Sequence, residues 1–252
     1  MDNSLKFFWD DICQIQNMVQ EGFPDCHNLL GDFKVPAFPS LQAVIRPALT
    51  FLSSELFGGS KYKSYHLASI FQLTHIAWLV HKRVQEDVDI DGNETRRRQY
   101  PVLVGDYIYS LCYAKLCSVG LSNFLLPLAD IICSVNEGGL LSIQNPRAKE
   151  MNSGVYSKVV YKEIAVPFSG ACRLGASLGT SSKEKQELLG EFGKAMGMFY
   201  GLAQISKDEA GGYSEQALFI LSSLEEHPAR SALEGLVSKV SALGDKSKEM
   251  VV

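Results

Sequence analysis

The sequence predicts an all-α fold, and three observations support this prediction. Apolar and aromatic residues recur at helical spacing in successive segments, two of which are Phe71, His75, Trp78, Leu79 and Val104, Ile108, Leu111, Cys112. The chain has 252 residues, 46% of them hydrophobic, so it can bury a substantial core. No internal repeat or low-complexity segment suggests another architecture. We expect one large domain over residues 1–252, although two smaller domains would also fit this length.

The N-terminal half alternates helical patterns with polar or glycine-rich connections. Residues 5–19 can place apolar side chains on one broad face, which predicts an amphipathic helix. A connection punctuated by glycine and proline runs from 21 to 40. The next apolar segment runs from 42 to 59. Two further predicted helices flank a polar loop from about 85 to 99.

The C-terminal half continues in the same way. A stretch rich in leucine and isoleucine from 116 to 136 predicts a helix, which Glu137-Gly138-Gly139 either ends or kinks. Residues 142–153 have the composition of a loop. The segment 181–206 opens with a capping-type helix entry. The remaining predicted helices are 156–178, 214–224 and 229–243.

Composition excludes several classes of protein. A net charge of −4 argues against nucleic acid as an obligatory partner. The N-terminus lacks the basic start and apolar run of a signal peptide, and no run of 18 uncharged apolar residues predicts a membrane span. We therefore expect a cytoplasmic protein. The cysteines form no CxxC pair and are typical of reduced core residues: Cys13, Cys26, Cys112, Cys117, Cys133 and Cys172.

The polar loop separates its charges by sign. Its acidic residues come first and three arginines follow: Glu86, Asp87, Asp89, Asp91 and Glu94, then Arg96, Arg97 and Arg98. Taken alone, such a pattern is typical of a solvated connection. The sequence motifs on either side of the loop suggest a second interpretation of these charges.

The segment around this loop resembles the first conserved region of the trans-polyprenyl diphosphate synthases. That region reads H-x-x-x-L-x-H-D-D-x-x-D, then T-R-R-G, then V-L-x-G-D-Y. The residues that keep its framework are His75, Leu79, His81, Thr95-Arg96-Arg97 and the run Val102-Leu103-Val104-Gly105-Asp106-Tyr107. The resemblance implies an isoprenoid-synthase-type helical bundle around a central cavity, and a dimer.

Three further motifs extend the resemblance along the chain. Arg46 and Pro47 fit a G-K-x-x-R-P-A-L signature whose lysine and arginine bind isopentenyl diphosphate, but Gln42 and Ala43 replace the glycine and lysine. The most specific match is 156–178, similar to K-T-A-x-L-F-x-x-A-C-R-L-G-A. There Lys162 corresponds to a lysine that contacts the allylic diphosphate, and Glu163 replaces a threonine. Residues 193–205 fit G-x-x-x-G-x-A-F-Q-I.

Most of the family's metal ligands are replaced in this sequence, and in the second motif only Asp208 keeps its carboxylate. In the family, two aspartate-rich motifs hold magnesium ions that bind the allylic diphosphate. Divalent cations of this kind need oxygen ligands, and an ammonium about 5 Å from a dication is repelled by about 6 kcal/mol at an effective dielectric near 20. The residues at the motif positions are Lys82, Arg83 and Glu86 in the first, and Lys207, Asp208 and Gly211 in the second.

The sequence nevertheless retains residues that, by the resemblance, could bind a diphosphate. They are Arg46, His75, Lys82, Arg83, Arg96, Arg97, Lys162 and Gln204. Arginine suits this role because its planar fork makes bidentate bonds to phosphate oxygens. Other interpretations stay open: His75 is also typical of a core histidine, and Arg46 of a surface arginine. A displaced metal site would have to use Glu86, Asp87, Asp89 or Asp208.

We therefore expect no catalytic residue and no cofactor, with Mg²⁺ only if the chain is active. The resemblance implies a non-catalytic subunit that pairs with an active synthase, since the short connection before Pro101 is similar to the small subunits of two-component long-chain synthases. A homodimer is the other possible assembly. Three alternatives remain: a metal-independent prenyl diphosphate binding protein, an active prenyltransferase with an altered metal site, and a helical scaffold.

Overall fold

The structure is a computed structural model, and it describes the backbone of most of the chain. The described residues are 3–22, 36–83, 94–150, 154–203, 205 and 207–249. Their side chains are described except in the segments 3–4, 94–98, 207–208 and 243–249.

All regular elements in the described residues are helical, which confirms the predicted all-α class. In chain order they are α1 (Asn3–Lys6), α2 (Trp9–Glu21), α3 (Leu41–Glu55), α4 (Lys61–Lys82), α5 (Glu94–Ser118), α6 (Leu125–Gln144), α7 (Gly154–Val160), α8 (Val166–Ser177), α9 (Lys183–Leu202), α10 (Lys207–Ser222) and α11 (Pro228–Glu249). A 3₁₀ turn, Ser122–Phe124, precedes α6, and a π-helical turn, Tyr161–Ala165, joins α7 to α8.

Helices α3, α4, α8 and α9 form the centre of the bundle. Helix α3 packs between α4 and α8, and α8 packs in turn against α9. Fully buried phenylalanines fill the space between them, namely Phe51, Phe168 and Phe192. Helices α2 and α5 cover α4, while the π-helical turn packs on α6 and α9.

Glycines set the closest approaches between central helices. A Cβ on Gly175 would lie 2.3 Å from the carbonyl oxygen of Thr50, and one on Gly193 would lie 2.4 Å from that of Phe168. Backbones can approach this closely only where side chains are absent. The small residues of 170–176 therefore serve helix packing, as their spacing predicts.

Two predicted boundaries were wrong. Helix α5 begins at Glu94, so the three arginines lie in its first turns and not in a loop. Glutamate, arginine and glutamine are good helix formers, and a charge pattern cannot separate a solvated turn of helix from a loop. Helix α6 continues through Gly138 and Gly139, and the chain turns earlier, at Gly120, whose φ is 71°.

Helix α6 leaves much of its apolar surface uncovered. The stretch Ser122–Gln144 is long and apolar enough to cross a membrane, but only about a third of it is buried. One such helix is weak evidence for a membrane span, and this one carries Asp130 and Glu137. Exposed apolar side chains on it include Leu126, Leu140 and Ile143.

Candidate functional site

Three site residues share one face near the end of α4. His75, Trp78 and Lys82 follow one another at the i, i+3, i+7 spacing of a helix face. The His75 and Trp78 rings stack with centroids 5.5 Å apart. The Lys82 ammonium lies 4.8 Å from the centroid of the Trp78 ring, within cation–π range. The stripe therefore presents a neutral ring, an indole and a cation in sequence.

Arg46 reaches this region from the second turn of α3. Its side chain is buried, and the guanidinium lies 5.1 Å from the ring centroid of Phe168 on α8. No ion pair to Arg46 is present in the described part of the chain, and its Nη1 has no hydrogen-bond partner there. Burial lowers the pKa of Arg46 to about 10, so the group is still charged at neutral pH. A buried charge without an anionic partner is energetically costly.

His75 is close enough to two cations, Arg46 and Lys82, for both charges to act on it. It is buried, and its Nε2 has no hydrogen-bond partner in the described structure. Burial lowers the pKa of His75 well below its ordinary value, and the charges of Arg46 and Lys82 lower it further. The imidazole is therefore neutral at physiological pH. Sequence reasoning missed Gln72, one turn earlier, whose buried Oε1 is also without a partner; its i−3 spacing from His75 is the signal that could have found it.

Lys82 is joined to Glu163 across the bundle. Its Nζ lies 3.5 Å from Glu163 Oε2, and the two side chains are 35% and 6% exposed. Burial raises the pKa of Glu163, and the Lys82 charge opposes that rise. The other carboxylate oxygen, Oε1, has no partner among the described residues. The sequence gives no sign of this pair because its members lie 81 residues apart.

The same π-helical turn forms a second ion pair, with α6. Lys162 Nζ lies 2.5 Å from Glu137 Oε2 on α6. Consecutive residues of a helix point about 100° apart, so Lys162 reaches α6 while Glu163 reaches α4. Gly138 provides the space, since a Cβ there would lie 2.7 Å from Glu163 Cγ and 3.0 Å from Lys162 Cβ.

The middle of α5 is held beside the end of α4. His81 Nε2 lies 3.4 Å from Asp106 Oδ1, and the His81 ring stacks on Tyr109 with centroids 5.5 Å apart. Gly105 allows this contact, because a Cβ there would lie 2.3 Å from His81 Nε2. The framework residues His81, Gly105 and Asp106 thus hold the middle of α5 against the end of α4.

The structure brings together some predicted site residues and leaves others undescribed. Arg46, His75, Lys82 and Lys162 lie in the region just described, and Arg83 follows Lys82 as the cap residue of α4. The backbones of Arg96 and Arg97 are in the first turn of α5 and that of Asp208 is in α10, but their side chains are outside the described residues. Gln204, Glu86, Asp87 and Asp89 also lie outside the described residues.

A cleft of about 870 Å³ lies at the other end of the bundle. It is lined by residues such as Lys63, Arg173 and Lys183, at the start of α4, the end of α8 and the start of α9. Lys63 and Lys82 are separated by about 28 Å along α4, at a rise of 1.5 Å per residue. This cleft contains none of the predicted site residues.

Comparison with known proteins identifies the family. A family model described as polyprenyl synthetase matches residues 43–214. This chain belongs to the polyprenyl synthetase family. The match confirms the resemblance drawn from its motifs and places the chain among proteins of isoprenoid biosynthesis.

Individual members of the polyprenyl synthetase family match over most of the chain. Octaprenyl diphosphate synthase of Escherichia coli is 23% identical, over 79% of this chain and 72% of that protein. Heptaprenyl diphosphate synthase component 2 of Geobacillus stearothermophilus is 21% identical, over 82% of this chain and 66% of that protein. A decaprenyl diphosphate synthase from Rhodobacter capsulatus has the same fold, with a TM-score of 0.77 at 17% identity over 96% and 98% of the two chains.

Polyprenyl synthetases normally depend on Mg²⁺. The question is whether the residues at the motif positions of this chain could ligate that ion. Lys82 stands at the first aspartate position and offers an ammonium, which cannot ligate a metal. Glu163 is the nearest described carboxylate, and Lys82 already occupies one of its oxygens. No group of three potential metal ligands is present in the part of the chain that the structure describes. The described residues at the first motif therefore do not fit magnesium.

Proposed function

We propose that this chain is a non-catalytic subunit that pairs with an active polyprenyl diphosphate synthase, in the cytoplasm. The Lys82–Glu163 ion pair is the observation that carries the proposal. It puts a cation where the family holds a metal ligand and binds that cation to a buried carboxylate 3.5 Å away. Prenyl transfer needs metal ions to stabilise the departing diphosphate, and the described positions of the first motif, Lys82 and Arg83, carry cations in place of metal ligands.

An uncovered surface supports pairing with another subunit. Helix α5 exposes an uncharged seam at alternating spacings of four and three: Leu103, Tyr107, Ser110, Ala114 and Cys117. Helix α6 has a similar seam, exposed apart from the half-buried Ala129: Leu126, Ala129, Cys133, Asn136, Leu140 and Ile143. Uncharged seams with this spacing pack against other helices, and large exposed apolar surfaces mark interaction sites.

The chemistry of the seams favours a partner of the same fold. Seams on two consecutive helices need complementary helices, and a homologous synthase would present them on the corresponding elements. The similarity to a protein named as component 2 of a heptaprenyl diphosphate synthase supports a two-component assembly. We therefore commit to a catalytic synthase with intact aspartate-rich motifs as the occupant; a second copy of this chain is the competing outcome.

Co-expression with such a synthase from the same organism tests the pairing. We expect a stable complex in size-exclusion chromatography and a change in the product length or stability of the synthase. Leu103→Glu and Leu140→Glu should each abolish the complex, because a charge would be buried in the seam. Phe219→Glu is the matched control, since Phe219 is 76% exposed on α10, away from both seams. Purification of the chain as a homodimer that does not bind the co-expressed synthase would contradict the proposal.

A second function is favoured by the buried polar atoms. Arg46 Nη1, His75 Nε2 and Gln72 Oε1 all lack a partner in the described structure, although buried polar groups are nearly always hydrogen-bonded. A prenyl diphosphate bound directly by cations, without metal, would satisfy the two nitrogens. Lysine and arginine can bind phosphate oxygens in this way.

Isothermal titration of farnesyl diphosphate separates this second function from the others. Metal-free binding predicts the same Kd in Mg²⁺ and in EDTA, and a loss of binding in Arg46→Met. Affinity that disappears in EDTA would favour an altered metal site. No heat of binding in either buffer would leave the subunit function alone.

A further inference from the structure

We propose that Glu163 is a built-in counter-anion that occupies Lys82 and sets the affinity of the cavity for diphosphates. This inference rests on the second proposed function, metal-free diphosphate binding. It concerns two positions at which the chain departs from its family: a lysine for an aspartate and a glutamate for a threonine. The two departures are joined in space, since Lys82 Nζ and Glu163 Oε2 are 3.5 Å apart.

The two partners differ in how far they can move. The Lys82 side chain is 35% exposed and ends a helix, so its ammonium can turn toward a ligand entering from solvent. The Glu163 side chain is 6% exposed and wedged above Gly138, with Cγ only 2.7 Å from where a Cβ on that glycine would be. Glu163 therefore cannot follow Lys82 when the lysine turns away.

The contact itself is long enough to be displaced. A distance of 3.5 Å exceeds the usual 2.7–3.2 Å of an N–H···O hydrogen bond, and only one carboxylate oxygen takes part. Glu163 Oε1 already lacks a partner in the described structure. An entering diphosphate would offer Lys82 stronger, doubly charged acceptors.

Displacement nevertheless carries a penalty that depends on Glu163 alone. Once Lys82 turns to a diphosphate, a buried carboxylate remains without its counter-cation, beside a second anion. Arg46, the other cation acting on His75, has no ion-pair partner to lose in the described structure. The charge of Glu163 thus weakens diphosphate binding by Lys82. Removing that charge should increase the affinity for diphosphates.

Titration of inorganic diphosphate and of farnesyl diphosphate in EDTA tests the inference. Glu163→Gln keeps the shape of the side chain and removes its charge, so we expect both ligands to bind about tenfold more tightly than to the wild type. Lys82→Met should abolish this gain when combined with Glu163→Gln. Glu163→Thr, with the family's residue, serves as a second variant, and circular dichroism checks that each variant is folded.

Glu187→Gln is the control for net charge. Glu187 is also paired at 3.5 Å, with Arg173, but it lies near the start of α9 at the opposite end of the bundle. An equal gain in Glu187→Gln would show a general charge effect and overturn the inference. So would unchanged or weaker binding in both folded Glu163 variants.

The outcomes also separate this inference from the functions on which it builds. Binding by Glu163→Gln, with none by the wild type, would support the counter-anion and remove the second proposed function. Binding by neither protein would overturn both. The subunit proposal would stand or fall separately, on the co-purification with a synthase.

Discussion

At the scale of single residues, the site retains costly groups that stability alone does not explain. Arg46 is a buried guanidinium facing a phenylalanine ring, without an anion to neutralise it in the described structure. His75 is held neutral between Arg46 and Lys82. Residues that destabilise a fold are typically retained where they serve a binding site. Substituting Arg46 should therefore raise the free energy of unfolding, and substituting His75 should change its dependence on pH.

Replacing Arg46 with methionine should stabilise the chain. An apolar side chain of similar length removes an unpaired buried charge and keeps most of the packing on Phe168, so we expect a gain of about 1–2 kcal/mol in the free energy of unfolding. Urea denaturation followed by circular dichroism measures it. Arg173→Met is the control, because Arg173 is half-exposed and paired with Glu187. A loss of stability in Arg46→Met would mean that its guanidinium has a partner after all.

His75 should make stability depend on pH. Its folded pKa is well below the unfolded value of 6.5, so its contribution is complete above pH 6.5 and is lost as the pH falls below that value. The loss approaches about 1.4 kcal/mol per pH unit. His75→Gln should flatten this part of the curve, measured as unfolding free energy between pH 7.5 and 5. Parallel curves for the two proteins would show that His75 is protonated in the fold.

The lost aspartates could be predicted from the sequence, but their replacement contacts could not. The motif framework around Lys82 identifies the positions of the family's aspartates, so the sequence alone predicts that Lys82 replaces one of them. Its partner Glu163 lies 81 residues away in the sequence, and only the folded bundle brings the two together. The role of every predicted site residue stays a prediction that the binding experiments test.

At the scale of elements, the π-helical turn Tyr161–Ala165 organises the site. It directs Lys162 to α6 and Glu163 to α4 from adjacent positions. The sequence here showed a helical pattern and an interruption at Gly138-Gly139, and we interpreted the glycines as the end or a kink of a helix. Gly138 instead allows the close approach of α6 and the π-helical turn, which local sequence cannot distinguish from termination.

The two glycines of α6 should respond oppositely to alanine. A Cβ on Gly138 would lie 2.7 Å from Glu163 Cγ, so Gly138→Ala should cost about 1–3 kcal/mol through overpacking. A Cβ on Gly139 meets only Glu163 Oε1, at 4.0 Å, so Gly139→Ala should gain up to about 1 kcal/mol from helix propensity. Thermal or urea unfolding of the pair checks this. Equal effects at both positions would contradict the packing described for the turn.

At the scale of the whole molecule, the sequence predicts the fold better than it predicts the activity. The small residues of the family's motifs are packing features, so they survive in a divergent chain. The family match and the shared fold confirm that part. The single domain over 1–252 and the dimer stay predictions. The acidic segment around Asp87 and Asp89 lies outside the described residues, and it is the part on which an altered metal site would depend.

The most direct test of the central claim is a turnover assay on the purified chain alone. Labelled isopentenyl diphosphate and an allylic diphosphate are supplied with Mg²⁺, and the prenyl product is measured with and without EDTA. We predict no product in either condition, because Lys82 stands at the position of the first metal ligand and is paired with Glu163. Product that forms in Mg²⁺ and vanishes in EDTA would contradict the claim and establish this chain as an active prenyltransferase.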